Sequence, residues 1–150
     1  MALLIRKARP SDAEALQALY FFHLTQTPPT EAQDMALWRE KLARFAQDPA
    51  YHLLVGEADG ALVSSVTLVI IENLTHNVRP YALIENVVAH AEHRGRHYAT
   101  ALMRRAGEIA REHGCYKIML LTGSKKESTL RFYESCGFDK NAKTAFLQRL

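Results

Sequence analysis

The sequence predicts an α/β (α+β) fold, a mixed, mostly antiparallel central sheet flanked by helices, and three observations carry that prediction. Two strand-like runs, Tyr51–Ala58 and Ala61–Ile71, are separated only by Asp59-Gly60, a strong two-residue hairpin signal. A further apolar run, Tyr81–Ala89, leads into a helix-period segment, Gly95–His113, and then into Tyr116–Leu121, which is the order of a βαβ crossover. Amphipathic segments before the hairpin and after the crossover provide the flanking helices.

The elements follow in order. Leu3–Ala8 reads as a first strand. Pro10 and Ser11 open a helix: Ser11 and Glu14 have capping-box spacing, and Ala15, Leu16, Leu19 and Tyr20 follow at helical period. Pro28 and Pro29 make Gln26–Glu31 a loop, because proline denies a helix its donors. Asp34 is placed to cap a second helix carrying Leu37, Trp38, Leu42 and Phe45 and ending near Asp48-Pro49. After the hairpin, Asn73–Pro80 is a polar loop. Within Gly95–His113, Leu102, Met103, Ala106, Ile109 and Ala110 form one face and Arg104, Arg105, Glu108, Arg111 and Glu112 the other, with Gly114 as the stop. Tyr116–Leu121 is expected as a buried strand. Ser124 and Glu127 repeat the capping-box spacing and open a helix through Cys136, ended by Gly137, and Thr144–Leu150 reads as a last strand. The order is β-α-α-β-β-β-α-β-α-β within one domain, 1–150.

A chain of 150 residues can bury a real core without disulfides or metals. Nineteen basic against sixteen acidic residues leave a formal charge of +3. That excess suits an anionic small molecule better than nucleic acid, since Glu108 and Glu112 interrupt the stripe of Arg94, Arg96, Arg104 and Arg105. No membrane partner is expected: the longest apolar run, Leu62–Ile71, is too short to span a bilayer and contains Ser64, Ser65 and Thr67. The start of the chain lacks the layout of a signal peptide, and the two cysteines, Cys115 and Cys136, suggest no disulfide framework. Free thiols in a soluble, cytoplasmic protein are the expectation.

The chemically informative stretch is Ile84–Met103, where an apolar strand enters a short polar turn and then a helix. The first turn of a helix carries unsatisfied N–H groups and partial positive charge, so it is a ready phosphate site. Gly95 lets the backbone approach an anion, Arg94 and Arg96 add charge, and Ala99, Thr100 and Ala101 are small. On physical grounds alone the same residues also describe a solvated helix end. His90, His93 and His97 span a strand end, a turn and a helix start, with no cysteine or paired carboxylate to complete a ligand pattern, so no metal is expected.

This stretch resembles the signature of the GNAT superfamily of acetyl-CoA-dependent N-acetyltransferases, Arg/Gln-x-x-Gly-x-Gly/Ala after a strand and opening a helix. Arg94-Gly95-Arg96-His97-Tyr98-Ala99 matches at Arg94 and Ala99, while His97 stands where the family has glycine. A second block, Phe132-Tyr133 followed by Gly137-Phe138, is similar to the family's F-Y-x-x-x-G-F helix end. The resemblance implies an acyl-CoA N-acyltransferase fold with acetyl-CoA as co-substrate. Its pantetheine arm is then expected on the backbone of Val87, Val88 and Ala89. Its pyrophosphate is expected on the amides of Arg94, Gly95, Arg96, His97, Tyr98, Ala99 and Thr100. It further implies Tyr133 as general acid for the leaving thiolate, where the residues alone also allow a core tyrosine on a helix bearing Leu130 and Cys136; Glu85, a carboxylate inside an apolar strand, is the candidate general base, or else a solvated or arginine-paired strand residue. Lys126 or Ser128 stands where much of the family uses an asparagine against the cofactor.

The acceptor expected from this resemblance is a small-molecule primary amine, such as an amino sugar, amino acid or polyamine. Ile84-Glu85-Asn86-Val87-Val88 and Cys115-Tyr116-Lys117-Ile118 are similar to stretches of glucosamine-6-phosphate N-acetyltransferases, although those carry an acidic residue at the position of Asn86. The helices after Ser11 and Asp34, and Asn73–Pro80, are expected to shape the acceptor pocket. A non-catalytic acyl-CoA-binding module and a protein N-acetyltransferase are the alternatives, and a homodimer is left open.

Overall fold

The computed structural model describes residues 2–25 and 27–150. Five strands form one sheet in the order β1 (Leu4–Lys7), β2 (Tyr51–Ala58), β3 (Ala61–Ile71), β4 (Tyr81–Ala89), β5 (Ile118–Leu120). The first four pair antiparallel, and β5 alone runs parallel to its neighbour β4. Asp59 and Gly60 both adopt left-handed backbone (φ 50° and 78°), the conformation a tight two-residue hairpin turn requires.

The period-2 alternation of the strands sorts the core onto two faces. Leu54, Val66, Leu68 and Ile84 point to one face, where they pack on Leu102, Met103, Ala106 and Ile109 of α4 (Tyr98–Glu112). The partly buried Phe132 and Tyr133 of α5 (Glu127–Ser135) join that cluster. Leu53 and Val55 point to the other face, against Leu16 of α1 (Ala13–Leu19) and Leu42 of α2 (Met35–Gln47). A π-helical turn over Tyr20–Leu24 extends α1, and Asp34 caps α2 by accepting the Leu37 N–H at 3.1 Å.

One irregularity positions the site. Ser65 is opposite Val88 and Thr67 is opposite Glu85, so Val66 faces two residues, Asn86 and Val87. This β-bulge is held by left-handed backbone at Asn86 (φ 53°), which asparagine tolerates better than most residues.

Several expectations need correction. The helix expected over Gly95–His113 begins at Tyr98, because Gly95 (φ 80°) and His97 (φ 61°, ψ 22°) are left-handed and cannot belong to it. The capping box expected at Ser11 is not made. Asp12 instead accepts the Arg9 N–H at 2.7 Å and two bonds from the Arg6 guanidinium, and a short 3-10 turn (Pro10–Asp12) precedes α1. Ser124 likewise does not cap α5; its hydroxyl accepts the Lys126 N–H at 3.2 Å and the helix starts at Glu127.

The buried strand expected over Tyr116–Leu121 contracts to β5 and is only partly buried, since it lies at the edge of the sheet. Thr144–Leu150 forms no strand: Phe146 and Leu147 are adjacent, so period 2 cannot bury both on one face, and both are exposed. The expected strand Leu3–Ala8 is trimmed to Leu4–Lys7. The loop expected over Gln26–Glu31 is free of helix and strand from Thr27 on, with Gln26 outside the described residues. Asn73–Pro80 contains one tight turn, α3 (Thr75–Val78), with His76, Asn77 and Val78 left-handed.

Candidate active site

The site begins where two parallel strands part. β4 and β5 pair at Ala82/Ile118, Leu83/Met119 and Ile84/Leu120, and among the described residues no strand lies on that side of β4 beyond Ile84. From Val87 to Ala89 the strand keeps its other neighbour, since Val88 pairs with Ser65 and Ala89 with Ser64. One edge of this segment therefore presents backbone N–H and C=O groups to an added, strand-like ligand. The Val88 side chain is buried in the core, so backbone pairing and side-chain packing do not compete.

Immediately after this edge, the chain makes a 3-10 turn over Ala91–His93 and reaches Arg94 and Gly95 before α4 starts. Left-handed Gly95 and His97 flank Arg96 in the turn that leads into α4. Tyr98, Ala99 and Thr100 add the free donors of the first helical turn. The Tyr98 ring is buried against Val63 and Ala58, which pins the helix start to the sheet, while Arg94, Arg96 and His97 are exposed. His97 makes no capping hydrogen bond.

His23 at the end of α1 was not legible as part of this region. Its ring lies tilted at 40° against His90 with centroids 4.0 Å apart, and its Nδ1 accepts the Ala91 N–H at 3.2 Å, tying the first helix to the loop. Burial, then the neighbouring His90 and Arg94, hold its pKa below the usual histidine value. Nothing in helical periodicity marks such a contact, which depends on tertiary closure.

The two candidate catalytic groups lie around the parting strands. Glu85 sits on β4 just before the bulge and is exposed. Tyr133 is half-buried on α5, and its pKa is raised by burial first, then by Cys136 and by the charge of Glu85. A tyrosine so placed stays protonated at neutral pH and is competent to donate. Burial also pushes up the thiols of Cys115 and Cys136, which does not suit a nucleophile. Lys126 and Ser128 are exposed at the start of α5, and neither makes a capping bond. Among the described residues no group of three or more histidine, cysteine, aspartate or glutamate side chains could hold a metal ion, and no helix is long and apolar enough to cross a membrane.

On the face of α1 and α2, a cavity of about 290 Å³ reaches from those helices to Thr67 and Asn86. Both expected helices line it; no residue of Asn73–Pro80 does. Thr67 is the cross-strand partner of Glu85, so this cavity abuts the candidate base. A larger hollow of about 660 Å³ lies between α1 and the β2–β3 hairpin. Its charged lining, Arg6 bridged to Asp12 and Glu57, is already paired within the fold.

Comparison with known proteins bears on this arrangement. Residues 14–138 match the model of the acetyltransferase (GNAT) family. The chain is 32% identical over 116 residues to a glucosamine 6-phosphate N-acetyltransferase of Trypanosoma brucei brucei, covering 77% of this chain and 76% of that protein. Among solved structures it is similar to a candidate acetyltransferase of Agrobacterium tumefaciens (39% identity, TM-score 0.87, 98% of this chain and 99% of that one). The glucosamine-6-phosphate N-acetyltransferase of Arabidopsis thaliana shares the fold at 19% identity and a TM-score of 0.84, covering 100% of this chain and 99% of that one. The family match spans most of the chain and includes the parted strands, the left-handed loop and the Tyr133 helix: this protein belongs to the GNAT family and is an acetyl-CoA-dependent acetyltransferase.

Proposed function

We propose that the protein moves an acetyl group from acetyl-CoA to the primary amine of a small molecule by direct attack in a ternary complex. The observation that supports this reading is the parting of β4 and β5 after Ile84, directly upstream of an anion-competent helix start. Backbone groups of Val87, Val88 and Ala89 pair with the pantetheine amides as an added strand would. The amides from Arg94 to Thr100 take the pyrophosphate, assisted by the guanidinium groups of Arg94 and Arg96.

Acetyl-CoA supplies the activated thioester. Glu85 accepts the ammonium proton of the acceptor, directly or through water, and passes it to solvent. The free amine attacks the thioester carbonyl; a C–N bond forms and the C–S bond breaks. Tyr133 donates its proton to the departing sulfur, and the proton that the attacking nitrogen sheds on becoming an amide restores the Tyr133 hydroxyl through water. The cavity of about 290 Å³ beside Thr67 is of a size for a small acceptor. Free cysteines with raised pKa suit the reducing cytoplasm in which we place the enzyme.

The test is Tyr133→Phe, assayed as free-thiol release from acetyl-CoA at saturating amine across pH. A loss of about 10²-fold or more is expected for removal of a general acid. An unchanged rate at every pH would remove Tyr133 from the mechanism.

A further inference from the structure

The cavity between α2 and the bulge has a composition that selects its occupant. Phe45 and Tyr51 form one wall, stacked at 3.8 Å and 13°. Tyr20 and Trp38 form another, tilted at 42° with centroids 6.3 Å apart. Leu16 and Leu42 are buried beneath them. The one charged side chain in the lining is Lys41, which is itself solvent-exposed. Such walls offer few partners for several hydroxyl groups and a single exposed lysine for a dianion, so a polyhydroxylated ligand buried there would leave groups unpaired.

The buried polar groups of the cavity lie at its floor. Thr67 is 2% exposed and its Oγ1 has no hydrogen-bond partner. The Tyr20 hydroxyl is also without a bond: Ser65 and Thr67 lie near it, but neither meets it in bonding geometry, and the Ser65 hydroxyl donates to the Leu54 carbonyl. Two buried hydroxyls without partners, both lining one cavity beside Asn86, call for a ligand group that can donate to them. An amine does so. Because Thr67 is paired across the strands with Glu85, an amino group bonded to Thr67 lies beside the candidate base.

We propose that the acceptor is an arylalkylamine: a primary amine on a short chain, its aromatic body held among Trp38, Phe45 and Tyr51 and its nitrogen directed to Thr67 and Tyr20. This rests on the acetyl-transfer reading above and names its substrate class. The volume of about 290 Å³ is at the low end for small-molecule sites, which fits one ring and a short tether. Aromatic walls at stacking and tilted angles favour an aromatic guest.

Two measurements on the full chain test the inference separately from the acetyl-transfer reading. Trp38 is the sole tryptophan, so its fluorescence reports on the cavity without turnover. The first measurement titrates 2-phenylethylamine against that signal. The second compares thiol release from acetyl-CoA with 2-phenylethylamine and with glucosamine 6-phosphate. The expected results are a saturable fluorescence change and a kcat/KM at least tenfold higher for the aryl amine. Thr67→Val should raise KM for that amine about tenfold or more while leaving the affinity for acetyl-CoA as it was; a purely structural threonine would leave KM unmoved.

Preference for the sugar phosphate, or no Trp38 response to the aryl amine, overturns the substrate class, and acetyl transfer stands if thiol is released. A saturable Trp38 response with no thiol release on any amine upholds the cavity's ligand class and overturns acetyl transfer to small amines. Neither response overturns both.

Discussion

Replacing His97 with glycine isolates what the backbone contributes to the cofactor site. His97 precedes α4 with φ 61° and ψ 22°, a left-handed conformation that costs a side chain-bearing residue about 1–2 kcal/mol. Glycine removes that strain, but its freer unfolded chain returns about 0.4–1 kcal/mol of the gain. The balance favours His97→Gly by roughly 0–1.5 kcal/mol, or up to about 5 °C in Tm for a chain of this size. The exposed imidazole makes no capping bond, so its removal leaves the backbone donors proposed for the pyrophosphate in place. Calorimetric titration with acetyl-CoA should therefore give an affinity unchanged within about threefold, or improved, a difference below about 0.7 kcal/mol. His97→Ala serves as the control: it deletes the imidazole but keeps the strain, so neither affinity nor Tm should rise. A tenfold loss of affinity in both variants, about 1.4 kcal/mol, would make the imidazole a ligand contact and refute a backbone-built site.

Other predictions address proton transfer and the fold. Glu85→Gln should lower kcat/KM by about 10²-fold or more, with acetyl-CoA affinity unaffected. An unchanged kcat/KM would assign deprotonation to another group. Asp12 is buried, which by itself would raise its pKa, yet bonds from Arg6 and the Arg9 N–H outweigh burial and hold it below the usual carboxylate value. A carboxylate depressed in the folded state stabilises the fold above its unfolded pKa, and that stability is lost as pH falls through the lower, folded pKa. Asp12→Asn should thus cost about 2 kcal/mol at neutral pH, less than the ~3–5 of a fully buried pair because Arg6 retains some solvent contact. The Tm gap between Asp12→Asn and the parent should persist down through the ordinary carboxylate range and close only below it. A gap constant at every pH would mean that the pair's charge is immaterial.

The legible parts of this protein were those set by local rules. Asp59-Gly60 fixed the hairpin because only a left-handed pair closes two strands so tightly, and the ends of β2, β3 and β4 coincide with the apolar runs. Asp34 capped its helix because the bond it makes, to Leu37, lies three residues away. The capping rule at Ser11 failed because its neighbour Asp12 takes the Arg9 N–H and the Arg6 guanidinium, and a 3-10 turn precedes the helix. At Thr144–Leu150 strand propensity lacked an alternating face to bury.

The candidate site divides the same way. The sequence by itself pointed to the family and supplied the candidates Arg94–Thr100, Glu85 and Tyr133, since each lies within a short contiguous stretch. Tertiary structure alone decided the bulge at Asn86, the contact of His23 with His90, and the cavity joining Tyr20, Trp38, Thr67 and Asn86. The physical reason is that these features depend on cross-strand register and on packing between helices and sheet, where groups far apart in sequence meet and no local periodicity records the encounter.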